Sequence, residues 1–216
     1  MKKRSAAWGL ALALSLPIPW FRKPERSRSW GGISRVVVNR ALNRQVKVAQ
    51  LAQVNFKDFL YRVYPTPASD IGISHGPLIA GPLSLPVTGG HYSLRQGDQS
   101  LNFQIYRTRL VPLPRAPGGM AALAFGILYQ GEGSESCAGI VQEYDFARGK
   151  LILVEQFSYN CRGGGSAEYL PRQRRLHISS SHYALGDRLC CPSLSDQMDF
   201  ELDGDRSRAK NVDLAD

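Results

Sequence analysis

Two stretches of apolar alternation, each folded about a Gly-containing dipeptide, constrain this chain more than any other feature. In the first, Tyr92 and Leu94 precede Gly97-Asp98, and Leu101, Phe103 and Ile105 follow it. In the second, Ile140, Tyr144 and Phe146 lead to Arg148-Gly149, and Leu151, Leu153, Phe157 and Tyr159 leave it. A period of two puts alternate side chains on one face of a strand, and a Gly-containing turn returns the chain antiparallel. Between the two hairpins, residues 121–129 (AALAFGILY) form a continuous apolar run suited to a central strand, with a buried helical turn as the alternative. Leu176 and Ile178 open a further strand, and Met198, Phe200 and Leu202 mark the last. The expectation is a mainly β fold: an antiparallel sandwich or partly open barrel with a short N-terminal helical or linker extension. Residues 65–90 hold five prolines and five glycines and read as a long loop with little regular structure.

The second hairpin also bears on the cysteines. The chain has four, Cys137, Cys161, Cys190 and Cys191. If Phe146 faces Leu151, strict pairing sets Cys137 opposite Asn160 and Cys161 opposite Ser136, one residue out of register. A one-residue bulge or a three-residue loop brings the two cysteines face to face, at a separation that a disulfide spans. The register therefore favours Cys137–Cys161, a cross-link worth roughly 3 kcal/mol in the chain-entropy treatment. Two long bridges to Cys190 and Cys191 are the alternative. Left to themselves, those adjacent residues form a strained vicinal bridge or stay free.

Charge is distributed unevenly. The net charge is +9. Residues 1–48 hold eleven basic residues against Glu25, and residues 49–216 come to −1. This division suggests a basic export signal or membrane-associated arm with a linker over residues 1–48, and a β-rich domain over residues 49–216. A folded nucleic-acid reader carries a basic face of its own, so nucleic acid is not the expected partner. Lys2, Lys3 and Arg4 precede the apolar run Ala6–Trp20, the layout of an export signal. The run is short for a membrane span and broken by Pro17 and Pro19. No Ala-x-Ala follows it directly, and no nearby cysteine can take a lipid. From Ser34, the spacing of Val38, Leu42, Val46 and Ala49 allows a short basic amphipathic helix resting on anionic lipid, with a solvated tether as the alternative.

Catalytic and metal signals are weak. No C-x-x-C occurs among the cysteines and histidines, so no metal or cofactor is expected. Cys161-Arg-Gly-Gly-Gly-Ser166 has the look of a phosphate-cradling loop but lacks the P-loop lysine. Glu132, Glu135, Glu143 and Glu155 could supply an acid pair for glycoside chemistry, but nothing in the sequence says which of them face each other. His177 and His182 read as surface or hydrogen-bonded histidines. His75, His91, Arg162 and Ser166 flank the two Gly-rich loops and are the candidate binding residues.

Two short segments carry a resemblance. Gln53-Val-Asn-Phe-Lys-Asp-Phe-Leu-Tyr61 and Leu185-Gly-Asp-Arg-Leu-Cys-Cys-Pro-Ser193 resemble the two ends of uncharacterised exported bacterial proteins with a C-terminal Cys-Cys-Pro-Ser segment, loosely those of LppP/LprE-type lipoproteins. The likeness implies an exported β-rich domain, periplasmic or secreted, and supplies no catalytic residues. It also implies a mature chain that begins near Ala49 or Ala52. The acidic, Gly-containing segment frequent in that group is replaced here by RTRLVPLPRAPGGM, so no calcium site carries over. The functional expectation is a non-enzymatic binding or structural module that takes a protein, peptide or glycan. An envelope hydrolase with unassigned acidic residues, or a peripheral membrane protein tethered by its basic arm, are the alternatives.

Overall fold

A computed structural model describes residues 27–30, 32–41, 50–64, 82–97, 99–114, 116, 119–131, 136–147, 149–161, 163–182, 184, 187, 193–202 and 210–211. Thirteen strands and one short 3-10 turn (Leu51–Gln53) account for the regular structure among them. The strands are β1 (Ser27–Trp30), β2 (Ile33–Ala41), β3 (Phe59–Val63), β4 (Leu83–Val87), β5 (His91–Gln96), β6 (Gln99–Pro112), β7 (Met120–Gln130), β8 (Ser136–Ala147), β9 (Lys150–Asn160), β10 (Ser166–Leu170), β11 (Arg175–His182), β12 (Leu194–Glu201) and β13 (Lys210–Asn211).

Seven strands form a central antiparallel sheet in the order β1-β2-β9-β8-β7-β6-β5. Both expected hairpins lie in it. β5 and β6 pair Leu94 with Leu101 and Tyr92 with Phe103 about Gly97, whose φ of 62° suits the tight turn. β8 and β9 pair Phe146 with Leu151 and Ala147 with Lys150 about Gly149, at φ 71°. The apolar run 121–129 is β7, a central strand between β6 and β8.

The central sheet is covered on both faces. On one face lies the two-stranded sheet β3-β4. Its Phe59, Tyr61, Val63, Leu85 and Val87 close a core with Phe103, Ala122, Ala124, Leu128, Ile140, Tyr144 and Leu153. The other face packs against the four-stranded sheet β10-β11-β12-β13. There Tyr169, Leu176, Ile178, Met198 and Phe200 meet Ile33, Leu123, Phe125, Val141, Phe157 and Tyr159. Two-sided cover explains why β7 reads as an unbroken apolar run, since neither face meets water. The architecture is a β sandwich with a third, smaller layer, and its sheets do not close into a barrel.

Buried glutamines fasten the small layer. The Gln156 side chain pairs with the Tyr64 backbone as a strand would, accepting from its N–H at 3.0 Å and donating to its carbonyl at 3.2 Å. Gln142 donates to the Arg62 carbonyl at 2.8 Å and accepts from the Tyr144 hydroxyl at 2.5 Å. Burial raises the Tyr61 and Tyr144 phenols well above their ordinary values, so both stay neutral donors.

Two expectations need correction. Residues 33–41 are not a helix on a lipid surface, nor a segment of a detachable arm. They form β2, which pairs with β9 from Ile33↔Tyr159 to Ala41↔Ile152. The run Val36-Val37-Val38 is β-branched, and Ile33 and Val36 are buried in the two opposite cores. Long-range pairing overrides the helical spacing that the valines also allow. The central sheet therefore takes in residues on the N-terminal side of residue 49, and the net charge divides as +5 for residues 1–26 and +4 for residues 27–216. Likewise, some of the expected long loop is strand β4, in register with β3 from Phe59↔Val87 to Val63↔Leu83. Pro86 is accommodated because β4 pairs on one side only. Residues 65–81, the apolar run 6–20 and the linker residues 22–26 lie outside the described residues.

Candidate functional site

The predicted disulfide is present. Cys137 and Cys161 are bonded, with Cα atoms 5.6 Å apart. The pairing of β8 with β9 shifts by one residue between Glu143 and Tyr144, so that Tyr144 faces Leu153 but Glu143 faces Glu155. From there to Ala138↔Asn160 the strands run in the shifted register, which sets the two cysteines opposite each other. Cys190 and Cys191 lie outside the described residues. Asp187, in the same segment, ties Ala184 to Ser193. One of its oxygens accepts from the N–H groups of Ala184 (2.8 Å) and Ser193 (2.7 Å) and from the Ser193 hydroxyl (2.9 Å). The backbone bonds from Ser193 and Ala184 hold its carboxyl below the usual range.

The shifted register has a second consequence. Glu143 and Glu155, two of the acids considered for glycoside chemistry, face each other directly on one face of the central sheet. Both are buried, at 3% and 2% exposure, and Asp145 beside them is at 6%. Glu155 accepts from Arg35 Nε at 2.7 Å. The Arg35 guanidinium lies over the rings of Phe157 and Phe200, between the central and four-stranded sheets. A substrate could reach these carboxylates only by prising the packed layers apart. Their geometry is that of a structural ion cluster in the sheet-to-sheet interface.

A concave region of the surface lies elsewhere, on β5, β6 and the end of β7. It encloses about 550 Å³ and is lined by His91, Tyr92, Ser93, Ser100, Asn102, Phe103, Gln104, Tyr129 and Gly131. Cross-strand pairing places its side chains. His91 pairs with Gln104, Ser93 with Asn102, and Asn102 with Tyr129, so all five project from the same face. Phe103 and Ile105, one residue out of phase, project into the core on the other side. A bulge between Ile105 and Arg107 then reverses the alternation. Beyond it, Arg107 and Arg109 lie over Phe125 and Tyr169 and donate to the Ala167 and Tyr169 carbonyls of β10, at 2.9 and 3.4 Å. The arginines thus join the two larger sheets at one end of β6, and the concavity occupies the other.

Its walls are fixed by local bonds. The turn before His91 is held to the start of β3: Gly89 donates to the Asp58 carboxylate and Gly90 to the Lys57 carbonyl, both at 2.7 Å. Ser93 Oγ donates to Asn102 Oδ1 at 2.7 Å, so the Asn102 NH₂ group takes no part in that bond. Ser100 Oγ donates to the Gly131 carbonyl at 2.6 Å. Tyr129 pairs across β7 and β8 with Cys137, so the disulfide supports the strand end beside it.

Of the four candidate binding residues, His91 is in the concavity. Ser166 opens β10, opposite Ser179, and does not line it. His75 and Arg162 lie outside the described residues. Sequence reasoning missed Ser93, Asn102, Gln104 and Tyr129, although the alternation it relied on already marked Ser93, Asn102 and Gln104 as the face opposite the core. His177, expected as a hydrogen-bonded histidine, bonds Asp199 at 2.8 Å on the four-stranded sheet, beside an Arg175–Glu201 ion pair at 3.0 Å. No cluster of potential metal ligands occurs among the described residues, and no helix among them is long and apolar enough to cross a membrane. No known protein family, curated protein or solved structure matches the chain.

Proposed function

We propose that this chain is an exported β-rich domain of the cell envelope or secreted space, and that it binds a ligand at the β5–β6–β7 concavity without turning it over. The observation that carries this reading is the separation of the two kinds of polar group. Hydrogen-bonding side chains line the open concavity, while the facing carboxylates that hydrolysis would need are buried, Glu155 in an ion pair with Arg35. A site with convergent polar groups and neither a nucleophile–base pair nor an acid pair is suited to recognition. Export is supported by the Cys137–Cys161 disulfide, which is compatible with an oxidising compartment, and by the basic-then-apolar N-terminal pattern. The resemblance of residues 53–61 and 185–193 to exported bacterial proteins points the same way.

The test is an amide NMR map of the oxidised protein during addition of soluble envelope extract. Persistent shifts confined to β5, β6 and the end of β7 are expected. Shifts that decay as new small-molecule signals grow would overturn binding in favour of turnover, and an unperturbed map would remove the site. Recovery of the native protein from the cytosol with both cysteines reduced would overturn export.

A further inference from the structure

We infer that the concavity recognises a neutral saccharide, an inference that rests on the binding reading above. The lining decides the class by what it holds and what it omits. Six of its residues present polar side chains: an imidazole from His91, hydroxyls from Ser93, Ser100 and Tyr129, and amides from Asn102 and Gln104. Among the described lining residues there is neither lysine nor arginine, so a phosphate or carboxylate ligand finds no permanent cation among them. No aspartate or glutamate occurs among the described lining residues either, which leaves a cation without carboxylate ligands among them. An apolar ligand would leave these hydrogen-bonding groups without partners, which costs free energy.

What remains is a ligand that is uncharged, rich in both donors and acceptors, and locally apolar. Vicinal hydroxyls of a sugar ring have that character. Each hydroxyl both donates and accepts, as the Asn102 and Gln104 amides do. The C–H face of the ring suits an aromatic wall, which the partly buried Tyr129 supplies. The site is also preorganised. The Ser93–Asn102 bond fixes the amide orientation, and pairing to Cys137 fixes the strand that carries Tyr129. Fixed polar groups lose little freedom on binding, which matters for a ligand that offers only modest apolar area. The space, about 550 Å³, is that of a small-molecule site.

The experiment is an array of neutral glycans screened against the oxidised full chain, with hits titrated by amide NMR. At least one glycan should shift residues 91–93, 100–104 and 129. Asn102→Ala should weaken that glycan about tenfold, the effect of losing one oriented hydrogen-bonding group. Tyr129→Ala should weaken it further, while Glu168→Ala, on the outer sheet, should change nothing. Both site variants must keep the wild-type spectrum outside the concavity to count. If no glycan binds, or if the bound glycan shifts residues elsewhere, the saccharide inference fails. Suppose instead that envelope extract perturbs the concavity, that periodate treatment of the extract leaves the effect and that protease abolishes it. The ligand is then a peptide, and the binding reading survives while the saccharide inference does not.

Discussion

Arg35 shows how far one residue's role depends on where the chain places it. In the sequence it is one of eleven basic residues in the first 48. In the fold it is 7% exposed, bonded to Glu155 and stacked against two aromatic rings. A buried pair is not strongly stabilising in itself, but removing one partner leaves a charge in a place that cannot solvate it. Arg35→Met should therefore cost about 3–5 kcal/mol, read as a lower urea midpoint. Arg35→Met combined with Glu155→Leu should recover some of the loss. Asp187 acts by hydrogen bonding at the surface. Its folded carboxyl is pulled down by the Ser193 and Ala184 N–H groups, so its hold on the loop is complete above the ordinary aspartate pKa, about 3.9. That hold is lost as pH falls through the depressed folded value. The Ser193 amide proton should titrate below the ordinary value, and Asp187→Asn should abolish that titration. A midpoint at or above the ordinary value would contradict the bonding described.

At the scale of elements, the β8–β9 hairpin shows how a defect in pairing can organise a site. The one-residue shift near Glu143 aligns Cys137 with Cys161, and it also sets Glu143 against Glu155. Alternation in the sequence located the turn and the first pairs. It could not fix the bulge, because an extra residue leaves the local apolar pattern intact until a long-range partner is counted. The disulfide closes a loop of moderate length at the open end of the hairpin. Replacing both cysteines with serine should cost roughly 3 kcal/mol, measured as a shift of the denaturation midpoint at unchanged slope. The same replacement should broaden the Tyr129 signals, since Tyr129 pairs with Cys137. A variant as stable as the parent would show that the hairpin is already ordered in the unfolded ensemble.

For the whole molecule, the three layers make β2 indispensable. It contributes Ile33 to one core and Val36 to the other, and it covers the outer edge of β9. A chain that begins at residue 49 loses Arg35 as well, so Glu155 has no cation beside it. That truncation should give no cooperative thermal transition and should associate through the exposed β9 edge. A chain that begins at Ser27 should unfold within a few degrees of the full-length protein. Differential scanning calorimetry and sedimentation of the two truncations would separate these outcomes. A stable, monomeric chain from residue 49 would return the domain boundary to the position that the charge distribution suggests.

The sequence by itself determined the class of fold and the two hairpins with their turn positions, and it favoured the central strand at 121–129 and the cysteine pair. Each of these follows from a period-two pattern or a short loop, information that lies within about twenty neighbouring residues. Only the tertiary structure decided that residues 33–41 belong to the sheet and that the central sheet carries a layer on each face. It alone also showed that the facing glutamates are buried inside while other polar side chains line the open concavity. Those outcomes depend on which strand edges meet and which faces are covered. Pairings such as Arg35 with Glu155, 120 positions apart, leave no trace in local periodicity.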